Sequence, residues 1–117
     1  MARYEHLPIY KGAMNLAIFL EINVKNMSRY HKYTIGSELR NKALRALSLV
    51  VRANSIFGEN RKNVLVELRI VLEEMRQIFF LAKETKALHS FNVYREGMEK
   101  LESLSRQNEG WLKSIKK

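Results

Sequence analysis

The stretch "RKNVLVELRIVLEEMRQIFFLAK", residues 61–83, decides the fold. Val64, Leu68, Val71, Met75, Ile78 and Ala82 recur every three or four residues, and Leu65, Leu72 and Phe79 widen their stripe. That spacing follows the 3.6-residue period of a helix rather than the two-residue alternation of a strand. Glu67, Arg69, Glu73, Glu74 and Arg76 occupy the remaining, narrow polar side. A helix over 61–83 is therefore predicted, entered through a turn at Phe57–Gly58–Glu59–Asn60 in which Gly58 and Asn60 tolerate unusual backbone angles.

The same period continues in both directions. Upstream, Leu39, Ala43, Ala46, Leu47, Val50 and Ala53 define a helix over 35–55, with Thr34 as the expected N-cap. Further upstream, Pro8 suits a first helical turn. Ile9, Ala13, Leu16, Ala17, Leu20, Val24 and Met27 form the main stripe of a helix over 8–27, and Tyr10, Met14, Ile18 and Ile22 form a second stripe beside it. Downstream, Ser90 is positioned to cap a helix over 91–115. Val93, Gly97, Met98, Leu101, Leu104, Asn108, Trp111, Leu112 and Ile115 share its inner face. Its outer face offers Arg95–Glu99, Glu96–Lys100, Glu102–Arg106 and Glu109–Lys113 as i,i+4 ion pairs. Four such helices with short connections predict an all-α, antiparallel up-down four-helix bundle, one domain over 1–117. The first three helices carry more apolar surface than one core face requires, which predicts self-association into a symmetric homo-oligomer.

Composition narrows the function. The 117 residues contain no cysteine, so disulfides, thiolate metal sites and thiol nucleophiles are excluded. The longest apolar runs are five residues, as at 16–20, against the ~20 of a membrane span. No secretory signal pattern opens the chain, and a cytoplasmic, non-membrane protein is expected. All 12 acidic residues are glutamate. His6, His31 and His89 stand at segment ends or in turns at no ligand spacing, no Glu-x-x-His pair exists, and there is no glycine-rich phosphate loop. No catalytic residue, metal site or cofactor is expected.

The net charge of +9 points instead to a polyanionic partner. The excess is uneven: residues 1–56 carry 9 basic and 3 acidic side chains, residues 57–117 carry 12 and 9. Arg29, His31, Lys32, Lys42, Arg45 and Arg52 cluster in or after the segment "SRYHKYTIGSELR" at 28–40, and Arg61 and Lys62 begin the third helix. These eight residues are the candidate nucleic-acid or protein contacts. Tyr30 and Tyr33 are placed either to stack on bases or to pack over the end of the bundle. Lys42, Arg45 and Arg52 share the polar side of the second helix and are the strongest candidates by this reading. Arg40 falls by helical angle at the edge of the apolar arc, where a buried partner or a subunit interface would hold it.

The segments "LPIYK" at 7–11, "RYHKYTIGSELR" at 29–40, "RANS" at 52–55 and "GWLKS" at 110–114 occur in an order and spacing that resembles the accessory variability determinant (Avd) proteins of diversity-generating retroelements. The resemblance covers nearly the whole chain. It implies a four-helix-bundle protomer in a barrel-shaped homopentamer, a basic protein that binds the element's reverse transcriptase together with RNA or DNA and supports mutagenic retrohoming, the chemistry residing in the reverse transcriptase. It marks Arg29, His31, Lys32, Tyr33, Gly36, Leu39 and Arg40 as motif positions. Gly36 either lets a backbone or a partner come close or is simply a glycine tolerated in a first helical turn, and Gly110, beside Trp111, is placed to let the last helix pack close to a neighbour. The chain is also similar to the 23S rRNA intervening-sequence proteins, which share the fold. Val50–Gly58 lacks the proline and the Ala-Glu of their second-helix terminus, which favours the retroelement branch. The alternatives are a protein of that sister type, a protein-recruiting scaffold with incidental nucleic-acid binding, and a small-molecule or metal bundle.

Overall fold

Pro8 opens the first helix, α1 (Pro8–Lys25), from an extended Leu7. The computed structural model describes residues 4–115. The main stripe of α1 turns inward as expected: Ile9, Ala13, Leu16, Leu20 and Val24 are buried, together with Phe19 and, just beyond the helix, Met27. The chain stops winding at Asn26, whose N–H donates to the Asn23 carbonyl at 3.3 Å, while the Met27 N–H donates to that of Val24 at 3.0 Å.

The next segment differs from the sequence-based expectation. Helix resumes at α2 (Arg29–His31), passes through a π-helical stretch over Lys32–Gly36, and continues as α3 (Ser37–Ser55). Thr34 is therefore not the N-cap of a helix beginning at Ile35. Ser28 takes that role, its hydroxyl accepting the His31 N–H at 3.4 Å. The Thr34 hydroxyl lies inside the helical path and donates to the Tyr30 carbonyl at 2.8 Å. Ser28 offers the same chemistry six positions earlier, and Thr34, its hydroxyl satisfied by the i−4 carbonyl, sits inside the helical path. The widened turn brings Gly36 against α1: a Cβ there would lie 2.7 Å from Val24 Cγ1 and 3.2 Å from the His31 carbonyl.

Gly58, at φ +60°, begins α4 (Gly58–Glu84), so the helix starts within the expected turn at 57–60. After it Lys86 adopts φ 62° and the Ala87 N–H closes onto the Ala82 carbonyl at 2.8 Å, a left-handed helix stop. The last helix, α5 (Phe91–Lys113), is capped by the Ser90 hydroxyl, which accepts the Val93 N–H at 3.3 Å, as the sequence predicts.

The long helices α1, α3, α4 and α5 pack in one globule of 46 × 26 × 21 Å. Its long axis is set by α4, whose 27 residues span about 40 Å at 1.5 Å each. Each long helix lies against two others: α3 against α1 and α4, α5 against α4 and α1. Contacts fix the relative directions. Lys42 and Arg45 of α3 meet Glu74 and Glu67 of α4, and Arg69 and Arg76 of α4 meet Glu109 and Glu102 of α5; in both pairs the numbers run oppositely, so the helices are antiparallel. The core is one continuous cluster dominated by Leu16, Leu20, Leu39, Leu49, Leu65, Leu68, Leu72, Met75, Phe79 and Leu101. Gly97 lets α5 approach Phe79, whose Cε1 lies 2.6 Å from where a Cβ would sit. Asn108 is fully buried in the stripe of α5 and donates from Nδ2 to the Leu65 carbonyl at 3.0 Å. No helix among the described residues is long and apolar enough to cross a membrane.

Candidate nucleic-acid interface

Ion pairs redistribute the charge that the sequence presents as a single excess. On the flanks of the globule, cations meet glutamates from neighbouring helices. Arg40 Nε lies 2.7 Å from Glu21 of α1, Lys42 Nζ 3.0 Å from Glu74, and Arg45 pairs with Glu67. Arg69 grips Glu109 through two bonds of 2.7 and 2.8 Å. This bond holds the Glu109 carboxyl below its ordinary pKa and the Arg69 guanidinium above its own, the hydrogen bond being the larger cause in each case. Of the four pairs expected along α5, Arg95–Glu99 and Glu96–Lys100 form at 3.6 and 3.8 Å. Glu102 instead lies 3.8 Å from Arg76, and Glu109 goes to Arg69. For Glu109 the Arg69 guanidinium offers two parallel donors, which the Lys113 ammonium on α5 does not match.

Among the described residues, most cations left without an ion pair lie toward the two ends, Arg106 on the flank of α5 being an exception. Where α1 and α4 finish and α3 and α5 begin, Lys25, Arg29, Lys32 and Lys86 have no acidic group within 4 Å; at the opposite end the same holds for Lys11, Arg52, Arg61, Lys62 and Lys113. The ridge of α3 therefore splits. Lys42 and Arg45 face α4 and its glutamates, whereas Arg52 is exposed and lines a polar groove with Asn60, Asn63 and Glu67. These exposed pairs contribute little to stability, but each reduces the positive potential that a phosphate backbone meets.

The 28–36 segment has two sides. Arg29, Tyr30, Tyr33 and Thr34 face solvent, while His31, Lys32 and Ile35 are half-buried and Gly36 is buried. Tyr30 and Tyr33 are 74% and 69% exposed, so their rings cover almost none of the globule. The His31 ring stands edge-on to Tyr30 at 5.3 Å, and its buried Nδ1 has no partner. Lys32 and Lys25 border one shallow groove with Arg40, Glu21 and Ile22. Lys25, in the last turn of α1, was not among the sequence candidates; its signal was its position next to the 28–33 segment.

Other candidates take different positions. Arg40 is half-exposed and held by Glu21 on the same chain. Arg61 donates from Nε to the Ala53 carbonyl at 2.8 Å, and its guanidinium lies 5.1 Å from the centre of the Phe57 ring and 5.3 Å from that of Trp111. It joins the end of α3 to α5, with half-buried Trp111 as the other wall, while Lys62 beside it is exposed. Gly36 abuts α1, whereas among the described residues nothing beyond its own stretch of helix lies within 4 Å of a Cβ at Gly110.

A cationic, aromatic helix end of this kind can neutralise phosphates and offer flat apolar faces at once. No family model matches the chain, and no curated protein matches it.

Proposed function

We propose that this chain is a non-catalytic nucleic-acid-binding accessory subunit of the Avd type. It acts in the cytoplasm beside a retroelement reverse transcriptase and its template RNA or cDNA. On this reading the protomer is an antiparallel up-down four-helix bundle assembled into a homopentamer. The observation that carries the reading is the concentration of unpaired cations, Lys25, Arg29 and Lys32, beside two solvent-facing tyrosines, while the flanking cations are paired with glutamates. The sequence resemblance supplies the partner. The exposed Ile18, Ile22 and Leu44 support self-association.

The test is binding of labelled RNA and DNA by fluorescence anisotropy across a salt series, for the native protein and for Lys25→Gln/Arg29→Gln/Lys32→Gln. Affinity is expected to fall steeply with salt. The variant is expected to bind more weakly with a log–log salt slope shallower by about 2–3, since each lost phosphate contact removes about 0.7–0.9. Equal affinity and slope in the variant would remove this end from the interface. Native mass spectrometry with the reverse transcriptase then tests the partner: no complex at salt that preserves the assembly would overturn that part.

A further inference from the structure

We infer that the 28–33 end selects single-stranded nucleic acid, by stacking bases on Tyr30 and Tyr33 while Lys25, Arg29 and Lys32 hold the phosphates. This rests on the nucleic-acid reading above and deepens it.

Two aromatic rings that are 74% and 69% exposed return almost nothing to the fold. Both stand on the solvent face of a helical segment that is well anchored from behind. Ser28 caps it, Thr34 ties back to the Tyr30 carbonyl at 2.8 Å, and Gly36 seats it against Val24. The tyrosines are thus displayed from a fixed backbone and face no other helix. Arg29 shares their face, and Lys32 and Lys25 border the adjoining groove. Duplex nucleic acid hides its base faces in the stack and offers phosphates, for which aromatic rings are of no use. A single strand exposes both, and aromatic platforms beside unpaired cations match that combination. The flank of α3 lacks this match: its Lys42 and Arg45 are occupied by glutamates and no exposed aromatic accompanies them.

The experiment compares three labelled ligands with the full chain at one salt concentration: a short oligothymidylate, an abasic strand of the same length, and a duplex. The oligothymidylate is expected to bind about tenfold or more tightly than the abasic strand, the scale of one or two stacked bases. Tyr30→Ala/Tyr33→Ala should erase that ratio and leave duplex affinity unchanged, and Tyr30→Phe/Tyr33→Phe should keep it, because stacking needs the ring and not the hydroxyl. Circular dichroism of these surface variants should match the native protein. Equal binding of oligothymidylate and abasic strand by the native protein, or a ratio that survives the double alanine variant, overturns the inference. Lys25→Gln/Arg29→Gln/Lys32→Gln separates this from failure of the broader reading. If that variant loses affinity for the abasic strand while the alanine variant behaves as native, only the stacking inference fails. If it binds the abasic strand as well as the native protein does, the end is not the phosphate site and both fail.

Discussion

A methyl group added at Gly36 and one added at Gly110 meet opposite surroundings. At Gly36 it would fall 2.7 Å from Val24 Cγ1, 3.2 Å from the His31 carbonyl and 3.3 Å from Met27 Sδ. Val24 is β-branched and buried, and the carbonyl belongs to the backbone, so neither yields cheaply. Alanine gains about 1 kcal/mol of helix propensity over glycine, but overpacking costs about 1–3 kcal/mol and wins. Gly36→Ala is expected to lower the thermal midpoint. At Gly110 nothing among the described residues, its own stretch of helix aside, lies within 4 Å of an added methyl, so the propensity term acts alone and Gly110→Ala is expected to stabilise by about 0.5–1 kcal/mol. Thermal unfolding of the two variants checks both signs. A destabilised Gly110→Ala would mean that another subunit packs on that face. In the sequence these glycines look alike: each lies in a helical period beside an aromatic or polar residue. What separates them is which helix comes near, and that is set by residues dozens of positions away. Arg61 was illegible for the same reason. It reads as a free cation at a helix start, yet its geometry is fixed by Ala53, Phe57 and Trp111.

Between elements, the tie most open to measurement joins α4 to α5 through Arg69 and Glu109. The Glu109 carboxyl is held below its ordinary value of 4.5, chiefly by the hydrogen bond from Arg69. A depressed carboxylate adds stability that is fully present above its unfolded pKa and is lost as pH falls through the folded one. The pair is half in water, so solvent screens it and the effect is small. Glu109→Gln is therefore expected to have a slightly lower thermal midpoint at pH 7, with the gap to the native protein closing as pH falls below 4.5. A gap that stays constant from neutral to acidic pH would show that the carboxylate charge is not what Arg69 holds. The sequence indicated that α5 carries a charged outer face but assigned Glu109 to Lys113 along the same helix. Helix periodicity orders residues within an element and is silent on the register between elements. The same limit hid the α2 and π-helical segment: Ser28 and Thr34 both carry the hydroxyl a cap needs, and the choice depends on how far back the chain turns after Met27.

Over the whole molecule, large apolar side chains reach the surface on α1, α3 and α4, and Ile22 borders the groove of Lys25 and Lys32. The flanks are lined with ion pairs, most unpaired cations lie toward the ends, and the outer side of α1 and α3 keeps an apolar face. Ile18 and Ile22 on α1 are 50% and 58% exposed, and Leu44 on α3 is 55% exposed. Met14 and Leu47 are half-buried beside them. The surplus was legible in the sequence as a second stripe on α1, because a helix in a lone bundle needs only one apolar arc. Its extension across Leu44 was not, since that depends on α1 and α3 being neighbours. Leaving three large aliphatic side chains half in water forgoes part of the ~1.5–3 kcal/mol that burying each would contribute, and a second copy of the chain is the most available cover. Ile18→Glu/Leu44→Glu places charges on this face at positions the fold does not use and outside the groove of Lys25 and Lys32. The variant is expected to keep its helical circular dichroism and to run at the 13.8 kDa of one chain by light scattering, while the native protein runs at a multiple of it. A native monomer at micromolar concentration would remove the assembly from the functional reading. A variant that stays oligomeric would move the interface to another face. A monomeric variant that still binds oligothymidylate as the native protein does would show that each protomer's basic end works alone.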